Sequence, residues 1–199
     1  MNKSTKILVA GVGGQGVVFL TNLIVKAALL AELPVATSEI HGLAQRGGSV
    51  SAGITIGANT YGFIEEGGVD LLIGLEPLEA QRCASFLNIN SCAVISSSRI
   101  LPHSVNSGYR SYPDIEKFIQ FLEQNIEKVI YTTETPKGIK AILVNLYLLG
   151  RACKETHLPI KPQFIEKAIE ELAREGFVEK SLEAFKQGYS SNGSVIETG

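Results

Sequence analysis

The sequence predicts an α/β fold: a single three-layer α/β/α domain on a mixed, Rossmann-like sheet, with a helical C-terminal third. Three observations carry this expectation. Short apolar runs at Ile7–Val9, Val69–Gly74, Cys92–Ile95 and Val129–Tyr131 alternate with stretches of helical periodicity, as strands buried on both faces do. The first run meets glycines at 11, 13, 14 and 16 and passes directly into a helix. From Lys137 onward only helical pattern remains.

Each element has a local reason. After Ile7–Val9, the helix from Val17 to Ala31 places Val17, Leu20, Ile24, Ala27 and Ala28 at spacings of three and four, a stripe that packs on a sheet. Pro34 to Thr37 reads as a second strand running on into Ser38–Gly42. The run Ser49–Ile56 alternates as a third, only a few residues later. A parallel strand needs a crossover of about a dozen residues, so this third strand pairs antiparallel or elsewhere in the sheet. Gly57–Thr60 is a turn and Tyr61–Ile64 a short return strand. After the strand Val69–Gly74, Glu76-Pro77 starts a helix through Leu78, Arg82 and Phe86, with proline in the first turn where its missing N–H is harmless. Pro102 to Pro113 is irregular, with an extended piece near Tyr109–Tyr112. Asp114 caps a helix over Ile115–Glu123. Ile142, Leu143, Leu146, Leu148 and Leu149 make a helix apolar on nearly every side, suited to burial. Two amphipathic helices follow, Gln163–Glu175 and Val178–Tyr189, separated at Gly176.

Composition narrows the function. The chain has 199 residues, 45% hydrophobic and 19% charged, enough for one well-buried domain. A net charge of −2 without any basic run argues against nucleic acid as a partner. The N-terminus lacks the hydrophobic region of a signal peptide, and no apolar stretch reaches the ~18 residues of a membrane span, so a cytoplasmic protein without membrane contact is expected. Cys83, Cys92 and Cys153 are scattered and form no C-x-x-C pair, which reads as small buried residues rather than a disulfide framework. His41, His103 and His157 have no ligand-spaced neighbour, so no metal site is expected on this chain.

Two stretches carry chemistry. Gly11, Gly13, Gly14, Gln15 and Gly16 lie between strand and helix, where glycines admit a close ligand and the first free N–H groups of the helix face an anion. The same glycines also suit a plain tight turn. With Glu39 ~20 residues further on, the pattern matches a dinucleotide fingerprint, which the early third strand disfavours. The second stretch, Ser38 to Ser49, gathers Glu39, His41, Gln45, Arg46 and Gly47 at the end of the second strand. Open α/β sheets bind ligands outside strand C-termini, so both loops should face one crevice. Glu39 and Arg46 could pair internally and stiffen the loop, or Arg46 could grip a phosphate or carboxylate in bidentate fashion. His41 reads as a hydrogen-bonded structural residue rather than an acid or base.

The segments GVGGQG at 11–16, SEIHGLAQRGGSV at 38–50 and LEPLEA at 75–80, in this order, resemble the gamma-type domain of the 2-oxoacid:ferredoxin oxidoreductases. The His-Gly-x-Ala-Gln-Arg-Gly-Gly form of the second motif, on a free-standing chain, is most similar to the beta subunits of indolepyruvate ferredoxin oxidoreductases. The resemblance covers nearly the whole chain, the buried helix with Asn145 and Gly150 included. It implies an accessory domain over residues 1–190, followed by a tail at 191–199 whose polar composition reads as flexible, inside an enzyme that oxidatively decarboxylates an aryl 2-oxoacid to its acyl-CoA and reduces ferredoxin. It implies a large alpha-subunit partner carrying thiamine diphosphate, Mg²⁺ and the iron–sulfur clusters. This chain has no Gly-Asp-Gly segment, and its three cysteines fall short of a four-thiolate cluster. It should hold no cofactor alone and be inactive alone. The resemblance marks Gly11, Gly13, Gly14, Gln15, Gly16, Glu39, His41, Gln45, Arg46 and Gly47 as binding residues, without a catalytic one, and associates the domain with coenzyme A. The alternatives are a stand-alone Rossmann-like nucleotide-binding protein, the gamma subunit of another 2-oxoacid oxidoreductase, and a scaffold whose glycine loop touches protein only.

Overall fold

Alternation along the first strand, β1 (Thr5–Val12), divides the hydrophobic interior in two: Ile7 and Val9 point into one core, Leu8 and Ala10 into the other. The computed structural model describes residues 4–41, 48–58, 60–133, 138–191 and 196–197. The remaining strands are β2 (Val35–His41), β3 (Ser49–Ile56), β4 (Val69–Gly74), β5 (Leu87–Ser96), β6 (Lys128–Thr132) and a two-residue β7 (Ile196–Glu197). They form one mixed sheet in the order β2-β3-β1-β4-β5-β6-β7. On one face lie α1 (Val17–Leu30) and the C-terminal helices α5 (Val144–Glu155), α6 (Pro162–Leu172) and α7 (Val178–Ser190). On the other lie α2 (Pro77–Arg82) and α4 (Ile115–Asn125), so the three-layer expectation holds.

The early third strand is the topological pivot. β1, β4, β5 and β6 run parallel, whereas β3 inserts between β1 and β2 and is antiparallel to both. β2 therefore points the same way as β1, and the C-terminal ends of β1, β2, β4, β5 and β6 all open on one edge of the sheet. The antiparallel alternative is the one adopted, and the consecutive parallel β1–β2 pairing of a standard dinucleotide fold is absent.

Two local expectations fail. Tyr61–Ile64 is not a strand: Ile64 plugs into the second core, and a Cβ at Gly62 would lie 2.9 Å from the Thr37 carbonyl oxygen. The chain here covers the β2–β3 face as a loop, its contacts made by side chain and close approach rather than by a ladder. The stretch Pro102–Pro113, expected to be irregular, contains a short helix α3 (His103–Asn106), and Tyr109–Tyr112 after it joins no ladder. Asp114 caps α4 as expected, accepting from the Lys117 N–H at 3.2 Å. Of the predicted apolar helix, Asn145 to Ala152 are all buried in α5, whereas Ile142 lies in the short turn before it and is largely exposed. Within the stretch 191–199, Ile196–Glu197 pair antiparallel with β6.

Candidate functional site

The glycine loop sits on the edge where the parallel strands end. Gly11 is the penultimate residue of β1, and the Gln15 N–H closes a turn onto the Val12 carbonyl at 3.0 Å. Gly14 is the exposed tip, at φ +104° with no heavy atom within 4 Å of an added Cβ. Gly16 caps α1 in the left-handed conformation, φ 85° and ψ 29°, which glycine adopts without the penalty of a Cβ. The Leu20 N–H then makes the first helical bond to the Gly16 carbonyl at 2.9 Å. The start of α1 is turned outward over a glycine tip, the geometry that receives anions at helix N-termini.

Gln15 does something other than its expected role. The sequence suggests an amide free to reach a ligand, but Oε1 accepts from the Val12 N–H at 2.7 Å and Nε2 donates to the Leu75 carbonyl at 3.0 Å. The side chain is thereby turned inward, locking the loop to the β4–α2 junction. Gly11 makes room for this: an added Cβ there would lie 2.9 Å from Gln15 Oε1.

The second stretch reaches the same edge. The Gly13 N–H donates to the Gly48 carbonyl at 2.9 Å, one step beyond the Val12–Ser49 pair of the β1–β3 ladder, so the glycine loop and the end of the second stretch meet on this edge. In backbone register Glu39 pairs with Ala52 and His41 with Val50, and Gly11 pairs with that same Val50 from the other side. His41 and Gly11 are thus two strands apart, roughly 10 Å. Gln45, Arg46 and Gly47 lie outside the described residues, as does any Glu39–Arg46 ion pair.

Beside the loop is a groove of about 260 Å³ lined by Gly14, Gly16, Phe19, Asn145, Arg174 and Phe177 among others. Val18 and Ile142, both apolar, are 50% and 64% exposed next to it. On the far side of the loop, Glu76 is more than the helix start read from sequence. Completely buried, it caps α2 by accepting from the Glu79 N–H at 2.9 Å, and its other oxygen accepts from the Ile100 N–H and the Tyr112 hydroxyl. Burial and the Glu76 carboxylate push the Tyr112 phenol well above its ordinary range, and the Arg99 guanidinium lies 5.4 Å above its ring.

The three thiols are separated: Cys83 follows α2, Cys92 is in β5 and Cys153 in α5, all free. Burial pushes Cys83 and Cys92 up to about 11, and Cys153 higher still, so none is a thiolate near neutrality. Among the described residues no three His, Cys, Asp or Glu side chains form a metal-holding group. No helix of the described residues is long and apolar enough to cross a membrane.

The family profile of pyruvate ferredoxin/flavodoxin oxidoreductase matches residues 6–191. The chain belongs to this family. As a pyruvate ferredoxin/flavodoxin oxidoreductase family member it is a subunit of a 2-oxoacid:ferredoxin oxidoreductase, as the three ordered motifs imply. It is 37% identical over 187 residues to the indolepyruvate oxidoreductase subunit IorB of Archaeoglobus fulgidus, covering 92% of this chain and 93% of that one. Its fold is similar to the gamma subunit of a keto/oxoacid ferredoxin oxidoreductase from Geobacter sulfurreducens, with a TM-score of 0.68, 21% identity and coverage of 94% and 95%. A 2-oxoglutarate:ferredoxin oxidoreductase from Magnetococcus marinus, solved with 2-oxoglutarate, coenzyme A and succinyl-CoA, contains the same fold over 31% of its chain, with a TM-score of 0.64, 16% identity and 94% of this chain covered.

The residues that sequence reasoning missed at the site are structural partners rather than ligands. Leu75 contributes only a carbonyl, which no sequence signal marks. Asn145 stands out as the polar residue in the apolar first half of α5, and Glu76 as an acid directly before the helix-starting proline; both are buried.

Proposed function

We propose that this chain is the small subunit of a heteromeric, thiamine-diphosphate-dependent ferredoxin oxidoreductase for an aryl 2-oxoacid, indolepyruvate, and that its glycine loop holds coenzyme A phosphate at the wall of a shared active site. The cofactor that performs decarboxylation, with its Mg²⁺ and the iron–sulfur clusters, belongs in this reading to a large alpha subunit, and ferredoxin is reduced through the complex, in the cytoplasm. The observation that carries the reading is the joining of two family motifs by the Gly13–Gly48 hydrogen bond, at an edge where the α1 N-terminus faces outward.

This chain's residues would bind and wall, without reacting. The α1 N–H groups and the open Gly14 tip suit a diester phosphate, which carries charge without needing a cationic side chain. The elevated Cys83 and Cys92 thiols are poor nucleophiles at neutral pH, consistent with acyl transfer being completed by the thiol of coenzyme A. The exposed Val18 and Ile142 fit a surface that a large partner covers. Indolepyruvate as substrate rests on the likeness to the Archaeoglobus subunit, and coenzyme A on the contents of the Magnetococcus enzyme.

Co-expression with the thiamine-carrying subunit tests the assembly: one complex should form and reduce ferredoxin with indolepyruvate, and a chain that stays alone would overturn the reading. Within that complex, Gly14→Asp and Gly14→Asn impose the same backbone strain at φ +104° but differ in charge. Gly14→Asp should raise the KM for coenzyme A about tenfold more than Gly14→Asn, a difference of about 1.4 kcal/mol, with the thiamine-dependent first half-reaction unchanged. Equal effects of the two, or loss of the complex in both, would instead mark the loop as a protein contact.

A further inference from the structure

The base of the glycine loop is gripped from two directions, and one grip comes from a residue 130 positions away in sequence. From the sheet side, the Gln15 side chain holds Val12 and Leu75. From the helical layer, Asn145, only 4% exposed, reaches the same loop: its Nδ2 donates to the Gln15 carbonyl at 3.4 Å while its Oδ1 accepts from the Leu146 N–H at 2.8 Å. The first of these bonds is long, so contact matters as much as polarity. An added Cβ on Gly16 would lie 2.5 Å from Asn145 Nδ2, whereas one on Gly14 meets nothing. Asn145 therefore closes the space over Gly16 and leaves the tip open.

We propose that Asn145 is a positioning residue for the glycine loop: it fixes the Gln15–Gly16 peptide from the α5 side and so sets the direction in which the first N–H groups of α1 face their ligand. The chemistry requires this kind of residue. A donor is needed toward the Gln15 carbonyl, and an acceptor toward the Leu146 N–H in the first turn of α5; an asparagine amide is both at once. An apolar residue would remove both of these bonds. α5 is the support because Asn145 to Ala152 are buried between the sheet and α7, so the amide is held by a rigid element.

The test uses the assembled complex and two readouts, one of which does not depend on coenzyme A binding here. Hydrogen exchange is followed at Gln15 and Leu20, whose N–H groups bond to Val12 and Gly16. Asn145→Ala should speed exchange at both by about tenfold, while Leu146→Val, a packing change in the same helix that keeps the Asn145 amide, leaves both within about twofold of wild type. Asn145→Ser serves where Asn145→Ala does not assemble. Combined with Gly16→Ala, Asn145→Ala should cost less than the sum of the separate changes, because it removes the atom that the new methyl meets.

The second readout rests on the proposed coenzyme A site. Asn145→Asp keeps the volume and the acceptor but sets an anion against the Gln15 carbonyl, and should raise the KM for coenzyme A about tenfold with the first half-reaction intact. Faster exchange without any change in KM supports the positioning role and removes coenzyme A from the loop. Unchanged exchange, or equal acceleration by Leu146→Val, overturns the positioning role whatever happens to KM.

Discussion

At the residue scale, Gly16 and Glu76 each meet a demand that a neighbour in chemistry would not. Gly16 combines a left-handed backbone with a contact at the would-be Cβ, so Gly16→Ala adds about 1–2 kcal/mol of backbone strain to a clash with Asn145. Gly14→Ala carries strain without a clash and should lower the thermal midpoint of the complex less. Glu76 is a carboxylate with no exposure, satisfied by two backbone N–H groups and the Tyr112 hydroxyl. Hydrogen bonds to charged groups contribute more than neutral ones, so Tyr112→Phe should cost about 2 kcal/mol in denaturant unfolding of the complex. Loss of that bond also frees the 97–113 excursion from one of its ties to the sheet edge. A Tyr112→Phe complex as stable as wild type would show that the hydroxyl contributes nothing net.

At the element scale, the crossing of α5 with α7 governs how the loop's helical support is placed. The two helices meet backbone to backbone: a Cβ on Gly150 would lie 2.2 Å from the Phe185 carbonyl oxygen, and one on Gly188 would lie 2.0 Å from that of Tyr147. Neither atom is a flexible side-chain end that can move aside. Gly188→Ala must push the helices apart, and overpacking of this kind should cost about 3 kcal/mol in the same unfolding measurement. Because α5 carries Asn145, the displacement should also accelerate exchange at Gln15, which a change on the exposed face of the same turn of α7, such as Lys186→Ala, should not.

At the scale of the whole molecule, two cores on opposite faces of one sheet share the thiols between them: Cys92 faces the larger core and Cys83 the smaller. Both are raised from an ordinary 9.0 to about 11 by burial. Between these values the unfolded chain binds fewer protons than the folded one, so stability is full below pH ~9 and falls as the pH rises toward ~11. Cys92→Ala should make that decline shallower; an unchanged slope would assign it to other groups. The sheet order matters equally. With β3 threaded antiparallel between β1 and β2, the edge where the parallel strands end gathers the glycine loop and the end of β2 without the crossover helix of a dinucleotide fold.

The sequence by itself determined the strands and helices wherever a strong local rule applied: the two-faced apolar runs, the Asp114 cap, the proline-started α2, the enclosed α5, and the seven-residue gap too short for a parallel crossover. It also determined the family, because three motifs in order are specific to it. Weak local signals failed where contacts overrode them, as at Tyr61–Ile64, whose alternation serves a covering loop, and at Gln15, whose amide the turn draws inward. Only the tertiary structure decided which edges β3 would take, that Gly13 would meet Gly48, and that Asn145 would close over Gly16. Those choices depend on atoms brought together from distant positions in the chain, and a periodicity or a cap, which relates only near neighbours, does not encode them.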